Sequence, residues 1–313
     1  MRLAGVRRAG ARTAVMVAAA LAVTGVGPAR AWAQACCAGA TAIGTTRLAP
    51  HEDAVVGVSA RAFTLFGSVS RDGAYVGAPE GVVDVGLEQS FVGALRVLRH
   101  GQVSFVVPIV ETYRKVPGLG EIGGGLGDVM LGARYDFVEP GASATWPGIA
   151  LALSLTLPTG RSPEEATSPL ATDATGTGGA AAGGDLFLER GFGDGFVQVV
   201  GSALWRAQRS VLNLYSQRGL TFSGFAAGGY SFPGGLVAAV TLVYRAELDG
   251  RLDGATVPGS GHELTRGGLA AGISLSDDWR LQGAVFADLP VAPLSRNHPA
   301  STGVSLTLLR SAW

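Results

Sequence analysis

Twelve stretches of this chain alternate apolar and polar side chains with a period of two, and that rhythm constrains the fold more than any motif does. The clearest runs from Ile149 to Leu157: Ile149, Leu151, Leu153, Leu155 and Leu157 fall on one face, and Ala150, Ala152, Ser154 and Thr156 on the other. Successive side chains of a β-strand point to opposite faces, so the pattern predicts half-apolar strands rather than helices. The others are predicted near 53–68, 80–98, 101–114, 125–138, 179–189, 194–208, 217–232, 235–247, 262–275, 278–289 and 301–309.

The gaps carry the topology. Arg99 to His100, Glu139 to Thr145, Arg190 to Gly193, Pro233 to Gly234 and Ser276 to Asp277 are brief and suited to tight turns. The intervening gaps, Val69 to Pro79, Lys115 to Gly124, Thr159 to Gly178, Arg209 to Ser216, Leu248 to Gly261 and Pro290 to Ala300, are longer and polar or Gly-rich. Short turns at one end, long loops at the other and an even strand count describe a transmembrane antiparallel β-barrel, all-β, of about 12 strands, with 10 to 14 as the range. Mean hydropathy is +0.32 and 47% of residues are apolar, yet no stretch after the N-terminus approaches a spanning helix. Dispersed hydrophobicity is expected where only alternate side chains meet lipid. Aromatic residues near strand ends (Tyr135, Phe137, Trp205, Tyr230, Phe232, Tyr244, Trp279) suit interfacial girdles and count against a periplasmic sandwich or propeller.

The N-terminus has the form of a cleaved signal peptide: Arg2, Arg7, Arg8 and Arg12, an apolar run from Ala14 to Val26, and Ala31-Trp32-Ala33 before Gln34. The expected organisation is signal peptide 1–33, periplasmic tail 34–52 and barrel 53–313, exported to a bacterial outer membrane. Cys36 and Cys37 fall in that tail, where they lack the lipoprotein pattern and the number needed for a four-ligand metal site. Lys plus Arg equals Asp plus Glu at 24 each, which gives no argument for nucleic acid. Composition of Thr159–Gly178 favours a mobile external loop over one folded into the pore. At the C-terminus, Ser301, Gly303, Leu306 and Leu308 resemble the signal read by the barrel-assembly machinery, so that machinery and outer-membrane lipid are the expected partners.

If the apolar faces meet lipid, the polar faces line the lumen. Candidates are Asp84, Glu88 and Arg96; Asp128, Arg134 and Asp136; Arg206, Arg245 and Glu247; and Arg266, Arg280 and Asp288, with Gln198, Ser202 and Gln282 among them. Such charges either select a permeant or pair across strands to brace a narrow barrel. Gly123 to Gly132 lacks the Lys-Ser/Thr ending of a phosphate loop, so no nucleotide and no cofactor is expected. A rim hydrolase would require His262 to contact a hydroxyl such as Ser260 and a carboxylate such as Glu263, and no G-x-S-x-G accompanies them, so the chain is not expected to be an enzyme.

Three strings, VSFVVPIVETYR (Val103–Arg114), GLGDVMLGARYDF (Gly125–Phe137) and LSLTLPTG (Leu153–Gly160), resemble the outer-membrane family named for the meta-pathway of phenol degradation. The resemblance implies a transporter-like barrel for small, often aromatic or hydrophobic compounds. Pro108, Gly125, Gly127, Asp128, Pro158, Thr159 and Gly160 match the family's pattern. The readings carried forward are a barrel passively admitting small molecules, a closed structural or surface-binding barrel, and a rim lipid hydrolase.

Overall fold

The computed structural model describes residues 46–143 and 145–313; the signal peptide, Cys36 and Cys37 lie outside the described residues. Twelve long strands make the wall: β1 Ala54–Val69, β2 Val83–Leu98, β3 Gly101–Val116, β4 Val129–Val138, β5 Gly148–Leu157, β6 Ala181–Phe192, β7 Gly195–Arg206, β8 Thr221–Ser231, β9 Leu236–Glu247, β10 His262–Ser274, β11 Trp279–Asp288 and β12 His298–Ala312. Each pairs antiparallel with its neighbours in sequence, and β12 pairs with β1 from Ala54 opposite Ala312 to Val69 opposite His298, so the sheet closes. Closure satisfies the backbone of every strand without an edge, which a lipid environment demands.

The leucine face of β5 is the outer one: Leu153 is 59% exposed, whereas Ala150 and Ala152 are 2% and 4% exposed. The same parity puts Val56, Val58, Phe91, Val240, Leu269, Val285 and Leu306 on an apolar outer band. Tyr135, Phe137, Tyr230, Phe232 and Trp279 lie outward near the short turns and Trp205 near the long loops, all exposed. We call the two ends inner (turns and termini) and outer (long loops).

Strand boundaries match the alternation within a few residues, with three departures. The stretch expected as one strand over 125–138 is broken at Gly127-Asp128, and Leu119–Leu126 instead pairs with the outer part of β3 as a projecting hairpin. The final strand extends outward to His298 and inward to Ala312. Four short segments in the loops after β7 and β9 form a small separate sheet.

The break in the wall is sewn by the residues of the G-L-G-D and P-T-G strings. Thr159 Oγ1 donates to the Gly127 carbonyl at 2.6 Å and accepts from Val129 N–H at 3.0 Å, standing in for the missing ladder. The Asp128 carboxylate accepts from Gly160 N–H (3.0 Å), Thr177 N–H (2.7 Å) and Thr177 Oγ1 (2.8 Å). A Cβ on Gly160 would stand 2.7 Å from the Gly176 Cα, so this close backbone approach requires glycine.

The loop after β5 does not follow its composition. Arg114 on β3 donates to the carbonyls of Leu170 and Ala171, and Leu170 N–H donates to Glu121. Gly123, opposite the inward Thr112, would meet Thr172 with any side chain, so the loop folds against the lumen side of the projecting hairpin. Asp173 gathers Thr167, Ser168 and Arg161, whose donated hydrogen bonds hold its carboxyl well below the usual range.

Candidate functional site: the lumen

The lumen divides into two halves of different chemistry. In the inner half, Phe187, Phe196, Val200 and Phe225 project from β6, β7 and β8 and pack against Ala150, Ala152, Ala227 and Ala239. The wall carries alanine there because the aromatic rings need the space; larger residues would overpack it. Gln198 and Gln282 are buried at the same depth, each 2% exposed.

The rest of the inner half is filled by Thr46–Glu52, which belongs to the stretch 34–52 expected as a periplasmic tail. Leu48 packs on Val55, Ala94 and Leu309 inside the barrel, while its N–H donates to the Gln102 Oε1 and the Gln102 amide donates back to the Thr46 carbonyl. Arg96 grips the same segment, donating to the carbonyls of Glu52 (2.9 Å) and Ala49 (2.6 Å). The segment's own charges reach the opposite wall: Arg47 pairs with Glu189, and Glu52 with Arg280 at 2.8 Å and with Ser311. Arg134 pairs with Asp136 at 2.8 Å and lies over the Phe187 ring. The inner half is therefore dry, apolar at its centre and neutralised pair by pair.

The outer half is built otherwise. Arg206 and Arg218 share Glu247 at 3.0 and 3.1 Å, Arg266 pairs with Asp288 at 2.7 Å, and Arg114 pairs with Asp84 at 3.1 Å. Glu88 faces the lumen opposite Arg61 in the β1–β2 register, and its carboxylate accepts only a long bond from Ser90. Arg245 has no hydrogen bond or ion pair among the described residues, and its side chain is exposed although it points inward, so solvent reaches it through the lumen. Nine of the twelve charged candidates read from the alternation thus belong to pairs with opposite charge; Glu88 and Arg245 do not, and Asp128 is spent on the wall seam.

Sequence reasoning missed Arg61, Arg47, Glu52, Arg114 and Glu189. Arg61 was detectable, because it has the parity opposite to the outward Val56 and Val58; Ala60, Ala62 and Gly57 blur that alternation. Arg47 and Glu52 lie outside any strand, where period two is silent.

At the rim, the His262 Nε2 is 4.0 Å from the Glu247 carboxylate, which is already held by two arginines. The Ser260 hydroxyl donates to the Val257 carbonyl and Glu263 pairs with Arg296, so neither meets His262 as a hydrolytic triad would need. Among the described residues no group of three His, Cys, Asp or Glu is placed to hold a metal ion.

No family model and no curated protein matches the sequence. Among solved structures, the fold is similar to an outer membrane channel from Pseudomonas putida F1, with a TM-score of 0.70, 17% identity, and 85% of this chain and 97% of that chain covered. Looser likenesses are the translocator domain of the autotransporter NalP from Neisseria meningitidis (TM-score 0.47, 12% identity, 82% and 87% covered) and the CymD monoaromatic hydrocarbon channel (0.45, 10%, 92% and 98%). At these identities the likeness is one of fold: the chain is a closed twelve-stranded barrel of the outer-membrane kind.

Proposed function

We propose that the protein is a channel of the bacterial outer membrane that passively admits small molecules, in a state closed at its inner end. The observation that carries this reading is the solvent-exposed, unpaired Arg245 inside a closed wall. A barrel braced solely for stability would pair that charge or replace it, since an inward cation costs free energy unless water or a counter-ion meets it. The outer half is then a wet vestibule and Thr46–Glu52 the stopper beneath it. Passage requires the stopper to leave, and the permeant's own gradient drives the flow without a cofactor. Small aromatic or hydrophobic solutes, which the family resemblance implies, fit an inner path lined by Phe187, Phe196 and Phe225. Outer-membrane lipid covers the apolar band, the assembly machinery reads the C-terminal strand, and catalysis has no place in the scheme.

The packed inner half favours one competing reading, a permanently closed barrel that acts through its loops. Planar-bilayer recording separates the two. The intact protein is expected to show rare, brief openings, and Glu52→Ala or Arg96→Ala, each weakening the hold on the stopper, to raise the open fraction severalfold. Silence from all three proteins, each shown to be folded by its heat-modifiable mobility on a gel, means a closed barrel.

A further inference from the structure

Two of the lumen's arginines, Arg61 and Arg245, make no ion pair among the described residues. Arg61 on β1 lies over the rings of Phe63 and Phe286, 5.3 and 5.0 Å from their centroids, and makes no hydrogen bond or ion pair among the described residues. Stacking uses the face of the guanidinium and leaves its N–H edge free. Arg266 lies over the same Phe286 ring at 4.5 Å, but its edge is occupied by Asp288. Arg245 on β9 stands in electrostatic reach of Arg61, Arg206 and Arg266, with Glu247 the one acid near enough to oppose it. Glu247 is already committed to Arg206 and Arg218.

The charge balance of this cluster points to a ligand. Five arginines (61, 206, 218, 245 and 266) face three acids (Glu88, Glu247 and Asp288), which leaves the cluster net positive, with two unengaged N–H edges. The walls beside those edges are apolar: Phe63 is two residues along from Arg61, Val243 two from Arg245, and Leu264 is the cross-strand partner of Arg245. A planar carboxylate matches a guanidinium edge with two parallel hydrogen bonds, and in a protein-walled lumen such charge-assisted bonds are the strong ones. The surplus positive charge calls for an anion, and the flanking phenyl and branched side chains call for an apolar body attached to it.

We infer that Arg61 and Arg245 form a binding site, in the outer half of the lumen, for a small carboxylate with an apolar body. The inference rests on the channel reading only in needing the vestibule to be reached by solvent. The site concentrates such anions above the stopper, so its occupancy is independent of whether the stopper opens.

Calorimetric titration of the full chain in detergent tests this, with benzoate, hexanoate and the neutral benzyl alcohol as probes. Both carboxylates are expected to bind at least about tenfold more tightly than benzyl alcohol. Arg61→Met and Arg245→Met should each weaken them about tenfold, and the double variant should abolish the heat. Arg251→Met, on an exposed loop, should leave binding intact. Arg245→Lys keeps the charge without the fork and should fall between wild type and Arg245→Met. Equal binding of the alcohol, unchanged binding by the folded double variant, or the same loss from Arg251→Met overturns the site. Bilayer recording on the same preparations separates the two readings: carboxylate binding without conductance keeps the site and removes the channel, and conductance without binding does the reverse.

Discussion

The two halves of this lumen are made from the same twelve strands, yet one is finished as a protein core and the other as a wet cavity. In the inner half, Arg47, Arg134 and Arg280 each have a carboxylate, and Glu52 and Arg280 are 2% and 12% exposed. In the outer half, Arg61 and Arg245 make no ion pair among the described residues, and Arg245 is open to solvent. Burial explains the difference at Arg245, since a dry charge must be paired whereas a hydrated one can wait for a ligand; the half-buried Arg61 is held instead over the faces of Phe63 and Phe286. A barrel wall does not by itself decide what its interior does. The decision lies with a short segment that no strand contains.

Glu52→Ala breaks the comparison most severely. It strands Arg280 without its carboxylate in the inner half, and removing one member of a buried pair costs about 3–5 kcal/mol. The stopper should loosen, and hydrogen exchange at Leu48 and Ala49 should accelerate, while the outer loops stay as they are. Unchanged protection at those amides would show that the apolar contacts of Leu48 hold the segment alone.

Asp128→Ala attacks the wall between the halves rather than their filling. The carboxylate receives three donors from the loop, and their loss is expected to cost about 2–3 kcal/mol, read as a lowered midpoint of urea unfolding in detergent micelles. The loop after β5 should become cleavable by protease near Gly160. Stability equal to wild type would mean that Thr159 alone seals the break.

The smallest effect concerns the outer mouth. Because the folded-state carboxyl of Asp173 titrates below its unfolded value, its stabilising contribution is complete at neutral pH and down to about pH 4, and is lost only as pH falls further. Proteolysis or hydrogen exchange of Thr167–Asp173 should therefore be flat between pH 7 and 5 and rise near pH 3. Asp173→Asn should raise it at every pH. A transition near pH 6 would assign the loop's order to another group.

What was legible in the sequence follows from which interactions are local. Alternation is set by the strand's own geometry, so Ile149–Leu157 announced both its strand and its outward face. The inward charges followed from parity alone, and the paired members Arg206 and Glu247 or Arg266 and Asp288 were named without their pairing, because pairing depends on register between strands. The break at Gly127-Asp128 was hidden because glycine and aspartate continue the alternation without apolar contradiction; the P-T-G string that repairs it lies some 30 residues on, beyond any local window. Thr46–Glu52 reads as a tail in sequence because its partners, Arg96, Gln102, Glu189 and Arg280, are scattered over the chain.

The contrast between the halves is open to direct measurement by thiol accessibility. With Cys36 and Cys37 replaced by serine, Arg245→Cys and Gln282→Cys each place one thiol in the lumen, in the outer and inner half respectively. A charged, water-soluble methanethiosulfonate should modify position 245 rapidly and position 282 many-fold more slowly, with Glu52→Ala restoring fast modification at 282. Equal rates at the two positions in the otherwise unaltered barrel would contradict a wet vestibule over a dry stopper.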